Sequence, residues 1–279
     1  MDNNKILKPE DYIEPQCPFC TEQHRNEPPV RSIPSDRVIQ KLDEYLSKNN
    51  YDAAEKHLLY WLEEAVSGRD SRGMLLLRNE LMGLYRKLGK KESATDNAEK
   101  ALALISEMNI PNEIAAATTY INTATVYKAF GMPQKSLPLF EKACEIYESN
   151  LKSNDERLGG LYNNMALTLV DLKRFSEANI LYHRALTIMQ RVKNGEPEQA
   201  VTHLNMANAA EAELGIERAE SLINKHIHEA MILLDNENTP RNGNYAFVCE
   251  KCAGTFGYYG YFFYEKELKE RARRIYEGN

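Results

Sequence analysis

The chain has 279 residues, of which 43% are apolar and 27% charged, and it carries a formal net charge of -6. This composition predicts a folded protein that is large enough to bury extended interfaces between its elements. Because nucleic acids and anionic membranes attract basic surfaces, the acidic balance argues against both as partners. The sequence contains no apolar run of the length that a signal peptide or a membrane span needs. We therefore expect a cytoplasmic location, with which an odd number of cysteines, five, agrees.

Residues 1–34 form an arm that precedes the periodic part of the chain. Six of the 11 prolines lie in this arm, and no helical apolar period is found there, so it is predicted to be extended or irregular. Cys17 and Cys20 in the arm form a Cys-x-x-Cys turn, which resembles both a zinc knuckle and the redox motif of glutaredoxins. The arm is too short to build the sheet that the redox motif requires, which favours zinc.

A second Cys-x-x-Cys pair, Cys249 and Cys252, lies near the other end of the chain. A structural zinc site needs four ligands, and Cys17, Cys20, Cys249 and Cys252 together would supply them. The alternative is that Cys249 and Cys252 are small core residues, since other repeats carry packing residues at these places. The roughly 15 residues between Cys20 and the first helix span at most about 50 Å. A shared site therefore requires a curled array or a second subunit.

After residue 34, pairs of amphipathic helices alternate with short polar turns. The first pair is predicted over 35–67, with Ser35 as an N-cap, and in the fourth pair Ser176 is predicted to cap the second helix. A small residue opens the second helix of each pair and recurs at intervals of 40, 42, 42, 41 and 46 residues, the last in a weaker copy. The positions are Ala54, Ala94, Ser136, Ala178, Ala219 and Glu265. Self-similarity at this period is typical of a stacked array rather than of one globular core.

The order of small and aromatic positions resembles the tetratricopeptide repeat, whose usual period is about 34 residues. One full copy runs through Leu81, Tyr85, Gly89, Ala94, Ala98 and Ala101. The 42-residue interval resembles the longer variant found in kinesin light chains and in many bacterial proteins, although Glu148 stands where a closing proline is usual. The resemblance implies an all-α, right-handed superhelical solenoid of about six helix-turn-helix repeats over 35–279.

In such arrays the first helix of each pair lines a concave groove. Asn122, Asn164 and Asn205 occupy one repeat position there, and an asparagine amide offers both a donor and an acceptor to the backbone of an extended peptide. The resemblance to kinesin light chains implies that role, and the alternative is that these side chains tie neighbouring helices together. Further groove positions in the same alignment are Asn163, Thr125, Lys128, Asn208 and Glu211. The lysine and arginine cluster of chaperone-binding repeats is missing, so we do not expect a C-terminal carboxylate as the ligand.

The last segment, 244–279, is an atypical repeat rich in aromatic residues and glycine. We predict that it caps the array with its rings, and the alternative is a docking surface for the arm or for another subunit. The sequence has no glycine-rich phosphate loop, no His-Glu-x-x-His and no nucleophile in a recognisable setting, so we predict that it is not an enzyme.

The sequence therefore predicts a scaffold or adaptor that holds an extended segment of a protein or peptide partner in its concave groove. One alternative is a self-assembling repeat protein whose zinc-binding arm docks on its own or on a neighbouring array, which would make it a homo-oligomer. Another is a peptide-sensing regulator that resembles bacterial quorum-sensing receptors. No cofactor other than a structural zinc is expected.

Overall fold

The computed structural model describes residues 30–278, and in this range the chain forms twelve α-helices and no strand. The helices are α1 Ser35–Ser47, α2 Tyr51–Ser67, α3 Ser71–Lys87, α4 Lys91–Glu107, α5 Ile114–Ala129, α6 Pro133–Asn150, α7 Glu156–Asp171, α8 Phe175–Met189, α9 Glu196–Leu214, α10 Ile216–Asp235, α11 Gly243–Tyr258 and α12 Phe262–Glu277. Consecutive helices pair into six hairpins, which confirms the predicted all-α repeat array. Within the same range no helix is both long and apolar enough to cross a membrane.

The hairpins stack in chain order. From α2 to α9, the second helix of each hairpin packs against the first helix of the next hairpin. The first helices α3, α5, α7, α9 and α11 also contact one another in succession, whereas the second helices do so much less. The first helices therefore line the concave side of the stack, which we call the inner face, and the second helices form the outer face.

The turn inside each hairpin contains one residue with a positive φ angle. These residues are Asn49, Gly89, Gly131, Lys173, Gly215 and Gly260. Glycine and asparagine are preferred at such positions, because a left-handed conformation costs other residues about 1–2 kcal/mol. Lys173 is the one exception among these six residues. Two backbone hydrogen bonds hold this turn, from Lys173 to the carbonyl of Val170 at 2.9 Å and from Arg174 to that of Leu169 at 2.8 Å. They close the end of α7 as in other left-handed helix caps.

The predicted N-caps at Ser35 and Ser176 were wrong. The cap residues are Pro34 for α1 and Arg174 for α8, and neither makes a side-chain capping hydrogen bond, so both serines lie inside their helices. The start of α8 at Arg174 is set by the backbone hydrogen bonds of the preceding turn. A side-chain cap does not set it. Side-chain caps are present at other helices, for example at Asn50, whose oxygen accepts from the amide of Ala53.

The small residues that mark the repeat lie where the two helices of a hairpin meet. Ala54, Ala94, Ser136 and Ala219 are 0% exposed and Ala178 is 1% exposed. Ser136 satisfies its buried hydroxyl by donating to the carbonyl of Ala124 at 2.7 Å. Because these side chains are small, the two helices can approach closely where they meet. A small residue is therefore needed once in every hairpin, which is why these residues reveal the repeat period.

The last hairpin, α11 and α12, both caps the array and exposes aromatic rings. Tyr245 and Phe256 are buried, whereas Phe262 and Phe263 are 68% and 94% exposed. A Cβ atom on Gly257 would meet the carboxylate of Glu265, the flexible end of a side chain that would have to turn away. The capping prediction therefore holds for some of the rings and not for those at the start of α12.

Cys249 and Cys252 are 0% and 2% exposed and pack in the core of the last two hairpins. Burial raises the pKa of the Cys252 thiol to about 12. Cys17 and Cys20 lie outside the described residues, so the four-cysteine zinc site stays a prediction. Between residues 30 and 278, no three histidine, cysteine or acidic side chains are grouped so that they could hold a metal ion.

Candidate functional site

An asparagine pair joins α3 to α5 on the inner face. The side-chain amide of Asn122 donates to the side-chain oxygen of Asn79 at 2.8 Å. Asn79 in turn donates to the carbonyl of Leu75 at 2.8 Å and to the hydroxyl of Thr119 at 3.0 Å. Asn122 therefore ties neighbouring repeats together, which was the alternative to peptide contact.

A second asparagine pair joins α7 to α9. The amide of Asn205 donates to the side-chain oxygen of Asn163 at 3.0 Å, and Asn163 is only 8% exposed. The two pairs are built alike, since a donor on one first helix reaches an acceptor 42 or 43 residues earlier on the preceding first helix. Asn205, like Asn122, thus uses one N–H of its amide in a contact between helices.

Asn164 on α7 is the exception among the three predicted asparagines. The residue 43 positions before it is Ile121, which stands where the other two junctions carry Asn79 and Asn163. An isoleucine side chain cannot accept a hydrogen bond. Asn164 is half-buried, and in the described part of the chain its side chain makes no hydrogen bond. The junction between α5 and α7 therefore presents an unused amide to the groove.

The other predicted groove residues are engaged within the array. Lys128 on α5 forms an ion pair with Asp171 on α7 at 3.8 Å. Thr125 donates its hydroxyl to the carbonyl of Ile121 in its own helix at 2.8 Å. In the free protein, Lys128 is thus paired with the next repeat and Thr125 is hydrogen-bonded to its own helix.

The end of the groove is closed by two tyrosines from the last hairpin. The hydroxyl of Tyr258 donates to Glu211 at 2.6 Å, and that of Tyr259 donates to Glu211 at 2.7 Å and to Asn208 at 3.0 Å. Glu211 and Asn208 on α9 therefore anchor α11, a role that the repeat alignment alone did not indicate. The aromatic composition of 244–279 was the signal that could have suggested such anchors.

A cleft of about 290 Å³ lies on the inner face between α3 and α5, beside the first asparagine pair. Glu80 lines it, and burial together with the charge of Asp43 raises the pKa of its carboxyl group. Among the ion pairs of residues 30–278, none involves Glu80. This end of the groove therefore offers a carboxyl group that is in no ion pair with the described residues.

Three helical glycines on the inner face have no packing reason. Gly83 follows Glu80 by three residues, Gly160 precedes Asn164 by four, and Gly254 precedes Tyr258 by four. A Cβ atom built on any of the three glycines would find no atom within 4 Å. A glycine inside a helix costs about 1 kcal/mol relative to alanine. Their positions leave room for a partner backbone to approach the helices closely.

Two family models described as "Tetratricopeptide repeat" match this chain, one over residues 73–149 and one over residues 159–192. The chain contains tetratricopeptide repeats. The predicted resemblance is thereby confirmed, and the Leu81 to Ala101 segment that carried it lies inside the first match.

One curated relative is the Arabidopsis thaliana protein KINESIN LIGHT CHAIN-RELATED 2, which is 23% identical over 223 residues. The match covers 77% of this chain and 32% of the relative, so the chain spans about a third of the length of that protein. Sequence similarity thus agrees with the kinesin light chain variant of the repeat.

Two similar solved structures support the same fold. BtubC (BKLC) from P. vanneervenii has a TM-score of 0.62 and 19% identity, with 75% of this chain and 84% of that chain covered. A Podosopora anserina protein with nearly identical kinesin light chain TPR-like repeats has a TM-score of 0.50 and 19% identity, with 74% and 95% covered. At this level of identity the likeness concerns the fold alone.

Proposed function

We propose that the protein is a non-enzymatic scaffold that binds an extended segment of a partner protein along its inner face, with Asn164 as the central contact. The coarser statement, that tetratricopeptide repeats generally serve protein interaction, rests on the matched repeats. The finer one rests on a single observation, the half-buried Asn164 amide that has no hydrogen bond among residues 30–278.

The chemistry of this amide suits a peptide backbone. A carboxamide can donate to a carbonyl and accept from an N–H group at the same time, whatever side chains the peptide carries. Gly160, one turn before Asn164, leaves space for the close approach that such a pair of hydrogen bonds requires. A mid-helix asparagine is intrinsically unfavourable, so a contact outside the chain gives it a reason to be there.

A displayed library of random peptides, selected on the whole chain, tests the proposal even though the partner is unidentified. The selected peptides are then titrated against wild type and against Asn164→Ala. Loss of two hydrogen bonds predicts an affinity about tenfold lower in Asn164→Ala. The matched control is Asn179→Ala, a mid-helix asparagine exposed on α8 of the outer face. If every selected peptide bound Asn164→Ala as tightly as wild type, the proposal would be wrong.

The self-assembling array and its zinc-binding arm stay predictions. For self-assembly, light scattering of the chain with and without residues 1–33 is the direct measurement, and a monomer in both cases would contradict it. For zinc, the metal content of the wild-type protein is compared with that of Cys17→Ser/Cys20→Ser. About one zinc per chain that is lost in the double variant is the expected result for a zinc-binding arm.

A further inference from the structure

A separate cleft opens on the outer face, between the second helices α8 and α10 and above α9. Its volume is about 340 Å³, at the lower end of the range for small-molecule sites. The walls combine apolar side chains with polar ones, among them Phe175, Met206, Leu222, Tyr182, Lys225 and His226. The inner-face groove shares none of these residues.

Tyr182 carries a hydroxyl group that the fold leaves unsatisfied. The side chain is 1% exposed, and its hydroxyl has no hydrogen-bond partner in the described part of the chain. Burial raises the pKa of this hydroxyl, so it stays protonated and can act as a donor. In the preceding repeat Phe140, 42 residues earlier, is equally buried without a hydroxyl. The ring alone therefore satisfies the packing, and the hydroxyl requires an acceptor from elsewhere.

A histidine pair stands beside this tyrosine. The Nδ1 atoms of His203 on α9 and His226 on α10 lie 3.1 Å apart and share one hydrogen bond. Burial lowers the pKa of both imidazoles, that of His226 to about 4, and nearby Lys225 and His183 lower both further. Both rings are thus neutral at pH 7. The carboxylate of Glu229 acts on His203 in the opposite direction.

The cleft has a positive charge on its α10 side and a negative charge on its α9 side. Lys225 on α10 lines the cleft and forms no ion pair with any described residue, and Glu213 lines the α9 side. A ligand that brings one negative oxygen would supply the acceptor missing at Tyr182 and lie near the Lys225 cation. A second negative group would face Glu213 and be repelled.

We propose that the cleft between α8 and α10 binds a small monocarboxylate, whose oxygen accepts from Tyr182 beside Lys225 and whose short aliphatic stem packs on Met206 and Leu222. The site acts independently of the groove around Asn164. Failure of either proposal therefore leaves the other standing.

Sodium butyrate is the probe, titrated into the full chain while the histidine ring resonances are followed by NMR. Saturable shifts of the His203 and His226 signals are expected, with no comparable shifts for butylamine or sodium chloride and at least tenfold weaker binding of succinate. Tyr182→Phe removes one hydrogen bond to a charged group, so its affinity for butyrate should be about tenfold lower. This variant should fold, because Phe140 fills the equivalent place, and thermal unfolding checks that it does.

Two further arms make the test decisive. Lys225→Gln should weaken butyrate binding several-fold, whereas Lys266→Gln, an exposed lysine on α12, should not. Binding should change little between pH 7 and pH 6, because His226, whose pKa is lowered to about 4, stays neutral over this range. Absence of saturable shifts at tens of millimolar butyrate would overturn the proposal. Unchanged butyrate affinity in Tyr182→Phe, or succinate binding as tight as butyrate, would do the same.

Discussion

Alanine substitution of the inner-face asparagines should separate structural ties from the free amide. In Asn205→Ala, the acceptor oxygen of Asn163 loses its donor at a position that is 8% exposed. An unsatisfied buried polar group costs about 1–3 kcal/mol, while alanine returns about 0.6 kcal/mol of helix propensity. Because Asn163 is not fully buried, we expect a net loss of about 1 kcal/mol in the free energy of unfolding. Asn122→Ala should lose less, since Asn79 is half-buried and can reach water.

Asn164→Ala should behave in the opposite way. No hydrogen bond within residues 30–278 is lost, so the gain in helix propensity is the main change. The free energy of unfolding should rise by about 0.5 kcal/mol. The same substitution that weakens peptide binding is therefore expected to stabilise the free protein, as substitutions at functional sites often do.

Urea unfolding followed by far-ultraviolet circular dichroism measures these differences, provided that the slope against urea concentration is the same for all variants. A double-mutant cycle on Asn163 and Asn205 should give a coupling energy of about 1 kcal/mol. Two results would refute the reasoning. One is a loss for Asn164→Ala as large as that for Asn205→Ala, and the other is a coupling energy near zero.

Three further perturbations test other parts of the structure. Gly83→Ala should raise the free energy of unfolding by about 0.5–1 kcal/mol because its surroundings are open, whereas Gly257→Ala should gain less, since its Cβ would displace the Glu265 carboxylate of α12; thermal unfolding compares them. His203 and His226 have lowered pKa values in the folded state, so the unfolded chain binds more protons below about pH 6.5. Stability should therefore fall by about 1–2 kcal/mol between pH 7 and pH 4, after allowance for partial solvent exposure, and His226→Gln should flatten this dependence in urea titrations. Cys252, which is buried and has a raised thiol pKa, should react with an aromatic disulfide reagent at pH 7 only after denaturant is added; mass spectrometry of the labelled peptides separates it from the half-buried Cys144, and rapid labelling of Cys252 in the native protein would contradict its burial.

The repeat architecture could be predicted from the sequence because it depends on a local pattern. A small residue must stand wherever two helices of a hairpin cross, so Ala94, Ser136 and Ala178 report the period directly. The exact helix starts could not be predicted, since Ser35 and Ser176 have the chemistry of caps but lie beyond the turns that end the linkers. Cap chemistry indicates a helix start only when the backbone places that residue at the turn.

The candidate groove was only half predictable. The alignment brought Asn122, Asn164 and Asn205 together, but whether each amide is used depends on the side chain opposite it on the preceding repeat. Asn163 and Ile121 occupy the same repeat position and give opposite outcomes. The pairing of His203 with His226 was out of reach, because it depends on how the one-residue linker Gly215 sets α9 against α10. Side-chain partners across helices follow from three-dimensional register, which the repeat period does not specify.

The junction between α5 and α7 should become more rigid when a partner binds. The ion pair of Lys128 and Asp171 ties the two helices on the inner face, but it is 3.8 Å long and partly exposed, and such pairs contribute at most about 1 kcal/mol. A bound segment that hydrogen-bonds to Asn164 supplies the bridge that Ile121 cannot make. Backbone amides of α5 and α7 should therefore exchange hydrogen more slowly in the complex, while those of α3 and α9 change little. Equal protection along all first helices would mean that the partner does not act through Asn164.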